Sequence, residues 1–330
     1  MKHRTAAVLL LMVALLTSLG WTGETWGQAK ISRVGILSFF AVTDDPTVGL
    51  WWEPFRRTLA DEGWIEGKNV LFEYRSALSY PSKYAEAAAE LVRLKVDVIF
   101  ADSAPAVRAA YAATRTIPIV GIDFTNDPVA AGYAESYGRP GGNVTGLFLD
   151  APGFAGKWFE LLRATVPGLS RVVALWDPSP GPTHLRAVQS VARSVGVQLH
   201  VVEVHKPDDL DRAFSTLRGR PQALIILPSP MIYVQSERLA KLAMKHRLPA
   251  TSMAHAFAEA GGALAYGPEL ASAHERCAVF VAKILGGAKP GDLPVERPTK
   301  FELVVNLKTA KALRLQIPQS VLIQADEVIR

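Results

Sequence analysis

Short apolar runs rich in β-branched residues alternate with longer amphipathic stretches in the first half of the chain. An unbroken apolar run indicates a strand covered on both faces, and apolar positions three or four residues apart indicate a helix. The pattern predicts strands at Val34–Ser38, Val70–Tyr74, Val96–Ala101, Ile117–Ile122 and Val144–Phe148. It predicts helices between them at Leu50–Glu62, Lys83–Leu94 and Ala104–Ala113. Such alternation is typical of βαβ units in a parallel sheet.

The second half of the chain repeats this scheme. Strands are predicted at Val172–Trp176, Gln198–Val204, Ala223–Leu227 and Pro249–Ser252, with helices at His184–Val195, Asp208–Leu217 and Gln235–Lys245. The two halves also share local sequence, because in each an apolar strand ends in a serine before a helix, at Ser103 and at Ser229. The sequence therefore predicts an α/β protein with two doubly wound parallel-sheet lobes in tandem.

The N-terminal residues have the pattern of a secretory signal peptide. Lys2, His3 and Arg4 precede an uncharged apolar run from Ala6 to Leu16. Small residues suit cleavage at Gly27-Gln28-Ala29, and Thr25-Trp26-Gly27 offers another site. We expect residues 1–29 to be removed near Ala29, leaving a soluble periplasmic protein that begins at Lys30. An uncleaved anchor is the alternative.

The charge and the cysteine content narrow the class of protein. The formal net charge is +5 from 36 basic and 31 acidic residues, and the basic residues are scattered. This distribution argues against a nucleic-acid or polybasic membrane surface. Because Cys277 is the only cysteine, we expect neither a lipid anchor nor an intrachain disulfide, and we interpret Cys277 as a small buried residue.

Motifs for metal, cofactor or nucleophilic chemistry are absent from the sequence. The seven histidines have no metal-ligand spacing, and no G-x-S-x-G elbow, Walker A loop or G-x-G-x-x-G fingerprint occurs. We therefore expect no enzyme activity, no metal and no cofactor. Asp123, Asp127 and Asp177 stand where catalytic carboxylates could lie, so an exported enzyme remains an alternative.

Polar and aromatic residues follow the predicted strands. In open parallel sheets ligands lie beyond the carboxyl ends of the strands, and two facing lobes would form a cleft between them. The candidate ligand-binding residues are Ser38, Phe39, Phe40, Ser103, Ala104, Thr125, Asp127, Trp176, Asp177, Ser229 and Tyr266. Four of them have other plausible roles: Ser103 as a helix cap, Asp177 as a turn residue, and Phe39 and Trp176 as core aromatics.

Several segments together resemble the ABC-transporter substrate-binding proteins whose members include tryptophan-binding ones. The segments are Arg33–Leu37, Thr116–Val120, Asn126–Val129 with Gly132, Arg139–Gly146, Ala282–Pro290, Asp292–Glu296, Asn306–Lys311 and Ala325–Ile329. The resemblance spans essentially the whole chain after the signal peptide. It implies the type I periplasmic-binding fold, in which two lobes joined by a hinge close on a solute like a Venus flytrap.

The resemblance also implies partners and lobe borders. A monomeric binding protein would deliver a small-molecule solute, such as an amino acid or an aromatic or carboxylate compound, to a separate ABC permease and ATPase. Three crossings between lobes would place residues 31–149 and 265–300 in one lobe and residues 150–264 and 301–330 in the other. A ligand sensor for a membrane signalling partner has the same fold and remains an alternative to a transport receptor.

The chain departs from the usual family pattern in two loops that should face the ligand. They read Asp102-Ser103-Ala104-Pro105 after the third strand and Pro228-Ser229-Pro230 in the second half. We therefore expect the solute to differ from that of the tryptophan-binding members.

Overall fold

Two β-sheets organise the computed structural model, which describes residues 31–40, 46–77, 81–149 and 151–330. The predicted signal peptide at residues 1–29, its cleavage site and Lys30 lie outside this range. Among the helices that the structure describes, none is long and apolar enough to cross a membrane.

The first sheet contains five parallel strands flanked by helices. Its strands are β1 (Ser32–Ser38), β2 (Val70–Ser76), β3 (Val98–Ala101), β4 (Ile119–Asp123) and β5 (Val144–Phe148), and its order is β2-β1-β3-β4-β5. The connecting helices are α1 (Pro46–Asp61), α2 (Tyr84–Arg93) and α3 (Ala104–Ala113). Every residue of β3, β4 and β5 is buried, which explains why these strands are nearly continuous apolar runs in the sequence.

The second sheet begins with the same winding. Its first strands are β6 (Arg171–Trp176), β7 (Gln198–Glu203), β8 (Ala223–Ile226), β9 (Ala250–Ser252) and β10 (Leu264–Pro268). They lie side by side in the order β7-β6-β8-β9-β10. The accompanying helices are α4 (Ala151–Thr165), α5 (Thr183–Ser194), α6 (Asp209–Ser215), α7 (Pro230–Val234), α8 (Ser236–Lys245) and α9 (His255–Glu259).

The last part of the chain passes between the sheets twice. Helix α10 (Leu270–Leu285) packs against α1 and against β3, β4 and β5 of the first sheet. Its Cys277 is buried, and this burial raises the pKa of the thiol. The chain then returns as β11 (Phe301–Asn306), which pairs antiparallel with β10, followed by α11 (Leu307–Leu313), α12 (Gln319–Gln324) and β12 (Glu327–Ile329).

The predicted fold class, two parallel-sheet α/β halves, is confirmed. The strands and helices predicted from apolar patterning all occur, with ends that differ by a few residues. The lobe border predicted at residue 265 falls inside β10, which hydrogen-bonds to β9 and β11 of the second sheet. Residues 265–268 therefore belong to the second sheet and not to the first. The chain leaves the second sheet only after Pro268.

Candidate ligand-binding site

The carboxyl ends of strands from both sheets border one cavity of about 110 Å³. Residues on the side of the first sheet are Phe39, Phe40, Trp51, Asp102, Ser103, Ala104, Pro105, Ile122, Phe124, Thr125, Leu270 and His274. Residues on the side of the second are Pro180, Pro228, Ser229, Pro230, Ile232, Tyr233, Ser252, Met253 and Ala254. This is the position at which doubly wound sheets bind ligands.

Three aromatic rings from different elements form one wall of the cavity. Phe40 follows β1, Trp51 lies on α1 and Tyr233 lies on α7. The ring centroids are 5.6 Å apart for Phe40 and Trp51, 5.6 Å for Trp51 and Tyr233, and 6.1 Å for Phe40 and Tyr233. Both contacts with Tyr233 are edge to face, which is a favourable arrangement of aromatic quadrupoles. The wall therefore joins the two halves of the molecule.

Asp102 supplies a carboxyl group to the cavity. Its Oδ2 accepts a hydrogen bond of 2.6 Å from the Ser38 hydroxyl, whereas its Oδ1 is shielded from solvent and has no partner at normal hydrogen-bond geometry among the described residues. Burial raises the pKa of Asp102 to about 7, and interactions of the carboxyl group with the Ser38 hydroxyl and with the backbone N–H groups of Asp102 and Phe39 oppose that rise. Ser38 lies behind the cavity and orients this carboxyl group.

His274 on α10 provides an acceptor in the same cavity. The imidazole is buried, and this burial lowers its pKa to about 4, so it is neutral at pH 7. Its Nδ1 lies 2.8 Å from the carbonyl oxygen of Leu270. Because a carbonyl can only accept, Nδ1 carries the proton and Nε2 is the acceptor.

The two serines that the sequence pattern paired occupy equivalent positions. Ser103 and Ser229 are both extended residues immediately before a helix. Ser229 caps α7 by accepting from the Ile232 N–H at 3.0 Å. Ser103 makes no capping bond, and its hydroxyl lies 3.0 Å from the Tyr84 hydroxyl. Both serines border the cavity, one from each half.

Polar contacts beside the cavity also join the two halves. The Arg108 guanidinium on α3 donates to the Ser179 carbonyl oxygen, which follows β6, at 2.7 Å. His184 Nε2 on α5 hydrogen-bonds to the Phe124 carbonyl oxygen after β4. Burial lowers the pKa of His184 to about 4, so the neutral ring donates from Nε2.

The structure brings six of the eleven predicted residues to the cavity. These six are Phe39, Phe40, Ser103, Ala104, Thr125 and Ser229. Thr125 is held there because Asp123 Oδ1 accepts from its backbone N–H at 2.8 Å. Burial raises the pKa of Asp123 to about 6, and both of its carboxyl oxygens accept hydrogen bonds within this turn.

The structure places Asp127 and Asp177 in turns away from the cavity. Asp127 accepts from the Val129 and Ala130 N–H groups and from the Tyr137 hydroxyl. Asp177 accepts from the backbone N–H and the hydroxyl of Ser179. Both carboxylates are thus used to fix local backbone, as is usual for aspartate in turns.

Two predicted aromatic residues also lie outside the cavity. Trp176 is half-buried and packs against the core. Tyr266 stacks on Phe154 and on Phe301, with centroids 5.4 Å and 5.8 Å apart. Trp176 ends β6, whereas Tyr266 lies in the middle of β10, and neither residue borders the cavity.

Sequence reasoning missed the cavity residues that helices supply. Trp51, Tyr233 and His274 come from α1, α7 and α10. Asp102 lies in a loop that is expected to face the ligand, although it is not one of the eleven candidate residues. The pattern of strand ends cannot find helix residues, because it does not give the rotation of each helix about its axis. Among the described residues, no group of three or more His, Cys, Asp and Glu side chains is arranged to hold a metal ion.

The statistical model of the family described as ABC transporter substrate binding protein matches residues 39–329 of the chain. The chain belongs to this family. The match includes the second sheet, every strand of the first sheet except β1, and all the residues that border the cavity. Members of this family are substrate-binding proteins.

Relatives of this substrate-binding protein include characterised and solved proteins. It is 25% identical over 293 residues to the tyrosine-binding protein of Clostridioides difficile strain R20291, covering 87% of this chain and 82% of that protein. A conserved domain protein from Vibrio cholerae has a TM-score of 0.82 and 25% identity, covering 91% of this chain and 100% of that one. An ABC domain from Streptococcus pneumonia in complex with L-Trp has a TM-score of 0.81 and 24% identity. The match covers 90% of this chain and 99% of that one. The fold predicted from the resemblance, that of type I periplasmic-binding proteins, is confirmed.

Proposed function

We propose that this substrate-binding protein is the solute receptor of an ABC importer and captures a small molecule with an aromatic ring in the cavity between its two sheets. The observation that carries the proposal is the wall of Phe40, Trp51 and Tyr233, because it lines a cavity at the carboxyl ends of both sheets. The names of the relatives support an aromatic solute, since one is a tyrosine-binding protein and another was solved with L-Trp.

Each sheet is, in this proposal, the centre of a lobe that moves relative to the other. We assign residues 31–149 with α10 to the first lobe and residues 151–268 with residues 301–330 to the second. A solute held between lobes contacts both only in the closed state, so its differential affinity shifts the population toward closure. The contacts that Arg108 and His184 make between the two sides would belong to that closed state.

The remaining parts of the proposal are location and partners. We propose that the chain is exported by its N-terminal segment and works in the periplasm as a monomer. It would deliver the solute to a permease and an ATPase in the inner membrane. The pattern of Lys2, His3 and Arg4 followed by an apolar run supports export.

A ligand screen tests the proposed function. Thermal shift against aromatic, aliphatic and sugar compounds should identify aromatic hits, because a ligand at 100 times its Kd stabilises the native state by about 2.7 kcal/mol. Small-angle scattering should then show a smaller radius of gyration with the hit than without it. Selective stabilisation by sugars or aliphatic compounds would contradict the aromatic assignment, and turnover of a hit would contradict a transport receptor.

A further inference from the structure

His274 presents to the cavity a nitrogen atom that can only accept a hydrogen bond. The imidazole borders the cavity from α10, and its Nδ1–H donates to the Leu270 carbonyl oxygen at 2.8 Å. Nε2 therefore carries no proton. The unpartnered side-chain atoms that are sealed from solvent in the described part of the chain include Nδ1 of His184 but not Nε2 of His274, so this Nε2 is open to the cavity.

The His274 ring stays neutral over a wide pH range. Burial lowers its pKa to about 4, and the hydrogen bond to Leu270 opposes that shift. Asp102 and Tyr233 are the other titratable side chains in the described lining of the cavity, and no charged side chain contributes to the shift of His274. Nε2 is therefore an acceptor at every pH above about 5.

The hydroxyl groups of the lining are less selective than this nitrogen. Thr125, Ser229 and Ser252 border the cavity, and a hydroxyl group donates or accepts according to its partner. The Ser229 and Ser252 oxygens already accept backbone N–H groups, so their protons remain to donate to a carboxylate or a carbonyl group of a solute. His274 Nε2, in contrast, is satisfied only by a donor.

The position of His274 relates this acceptor to the aromatic wall. Its ring centroid lies 6.2 Å from that of Trp51, and the two planes are inclined at 39°. The edge of a solute ring that packs against Trp51 would therefore lie near the imidazole. A ring without a donor would exclude water from Nε2 and leave a buried acceptor unpaired, whereas a hydroxyl or N–H group on the ring would restore the hydrogen bond.

We infer that His274 determines specificity, because its Nε2 accepts a hydrogen bond from a hydroxyl or N–H group on the aromatic ring of the solute. The inference rests on the proposed function and narrows its substrate class to phenols and to heterocycles with a ring N–H group, such as indoles. It holds whether the rest of the solute carries a carboxylate, an amine or both.

Matched pairs of probes test the inference by calorimetry on the wild-type protein at pH 7. Three pairs differ only in a ring hydroxyl: L-tyrosine with L-phenylalanine, 3-(4-hydroxyphenyl)propanoate with 3-phenylpropanoate, and tyramine with 2-phenylethylamine. In a fourth pair, L-tryptophan with 3-benzothienyl-L-alanine, sulfur replaces the ring N–H group. We expect the member with the donor to bind about 5- to 50-fold more tightly in each pair that binds.

A variant isolates the contribution of His274. In His274→Leu, which has no acceptor at this position, the affinity ratio within each pair should fall to about 2-fold or less. His200→Leu is the matched control, because His200 is exposed on β7 and does not border the cavity, and it should keep the wild-type ratio. A ratio that persists in His274→Leu would overturn the inference.

Two measurements on the wild-type protein serve if His274→Leu does not fold. The affinity ratio within a pair should be the same at pH 5.5 and pH 7.5, because Nε2 is unprotonated at both, and loss of the ratio at pH 5.5 would overturn the inference. In nitrogen NMR spectra, saturation with L-tyrosine should shift the Nε2 resonance of His274 much more than saturation with L-phenylalanine. Equal shifts would also overturn it.

The failure of this inference and the failure of the proposed function are distinguishable. Affinities that agree within about 2-fold in the pairs that bind would overturn the role of His274, while the aromatic cavity and the proposed function would stand. Failure of every pair to bind would overturn the inference, and the wider aromatic screen then decides separately whether the proposed function falls with it.

Discussion

The rings of Trp51 and Tyr233 meet edge to face, with centroids 5.6 Å apart and planes at 88°. Trp51 lies on α1 beside the first sheet, and Tyr233 lies on α7, which follows β8 of the second. The contact therefore connects the two halves at the wall of the cavity. Any solute that lies against both rings depends on their relative position.

Tyr233→Ala should weaken binding of an aromatic solute by about 10- to 100-fold, which is about 1.5–3 kcal/mol. The change removes one ring of the aromatic wall and leaves the first-sheet residues in place. Calorimetry with the best hit of the screen measures the loss. Val234→Ala is the matched control, because Val234 is the next residue of α7 and is 41% exposed. Equal effects of the two variants would show that the ring does not contact the solute.

Arg108→Ala should weaken binding about 2- to 5-fold without altering the cavity lining. The guanidinium donates across to the carbonyl oxygen of Ser179, and an exposed bond of this kind contributes up to about 1 kcal/mol. Loss of the bond should favour the open state and increase the radius of gyration of the free protein. Arg115→Ala is the control, since the Arg115 guanidinium stacks on Tyr111 at 3.6 Å, within the same lobe. A scattering profile identical to wild type would contradict a role for Arg108 in closure.

His184 should make the free energy of unfolding fall as the pH falls from about 6.5 toward 4. Burial lowers the pKa of His184 to about 4 in the folded state, whereas an unfolded histidine titrates near 6.5. Between these values the unfolded chain binds a proton that the folded chain does not, which favours unfolding. Urea unfolding at pH 7 and pH 4.5 should show wild type losing about 2 kcal/mol relative to His184→Gln. A constant difference between the two proteins would contradict this assignment.

Asp102 should have the opposite effect on stability. Its pKa is raised by burial to about 7, so the folded protein keeps a proton that the unfolded chain has lost, and this contribution disappears as the pH rises through 7. From pH 5 to pH 8, wild type should therefore lose about 2 kcal/mol of stability relative to Asp102→Asn. Tyr84 and His274 lie nearby, but the Tyr84 pKa is raised by burial and the His274 pKa is about 4, so neither titrates in this interval. Parallel stability profiles of the two proteins would contradict the raised pKa.

The sheets could be predicted from sequence because their strands are buried on both faces. Val98–Ala101 and Ile119–Asp123 are completely buried, so each appears as an apolar run between helical patterns. The site could be predicted only where it is built by loops directly after strands, as at Phe40, Ser103 and Ser229.

Other parts of the site depend on three-dimensional packing that strand ends do not encode. Trp176 is the last residue of β6, yet it packs against the core. Tyr266, which the sequence pattern places after a strand, lies inside β10 and stacks on Phe154 and Phe301. Conversely, Tyr233 and His274 border the cavity because the faces of α7 and α10 that carry these two residues are turned toward it. The rotation of a helix and the face taken by the last residue of a strand both depend on partners distant in sequence.

The central claim is that a solute lies between the two sheets, and a crystal structure with the tightest aromatic hit tests it most directly. We predict density for the ligand ring against Phe40, Trp51 and Tyr233, with contacts from residues after β3 of the first sheet and after β8 of the second. A ligand that contacts residues of one sheet only, or that lies outside this cavity, would contradict the account.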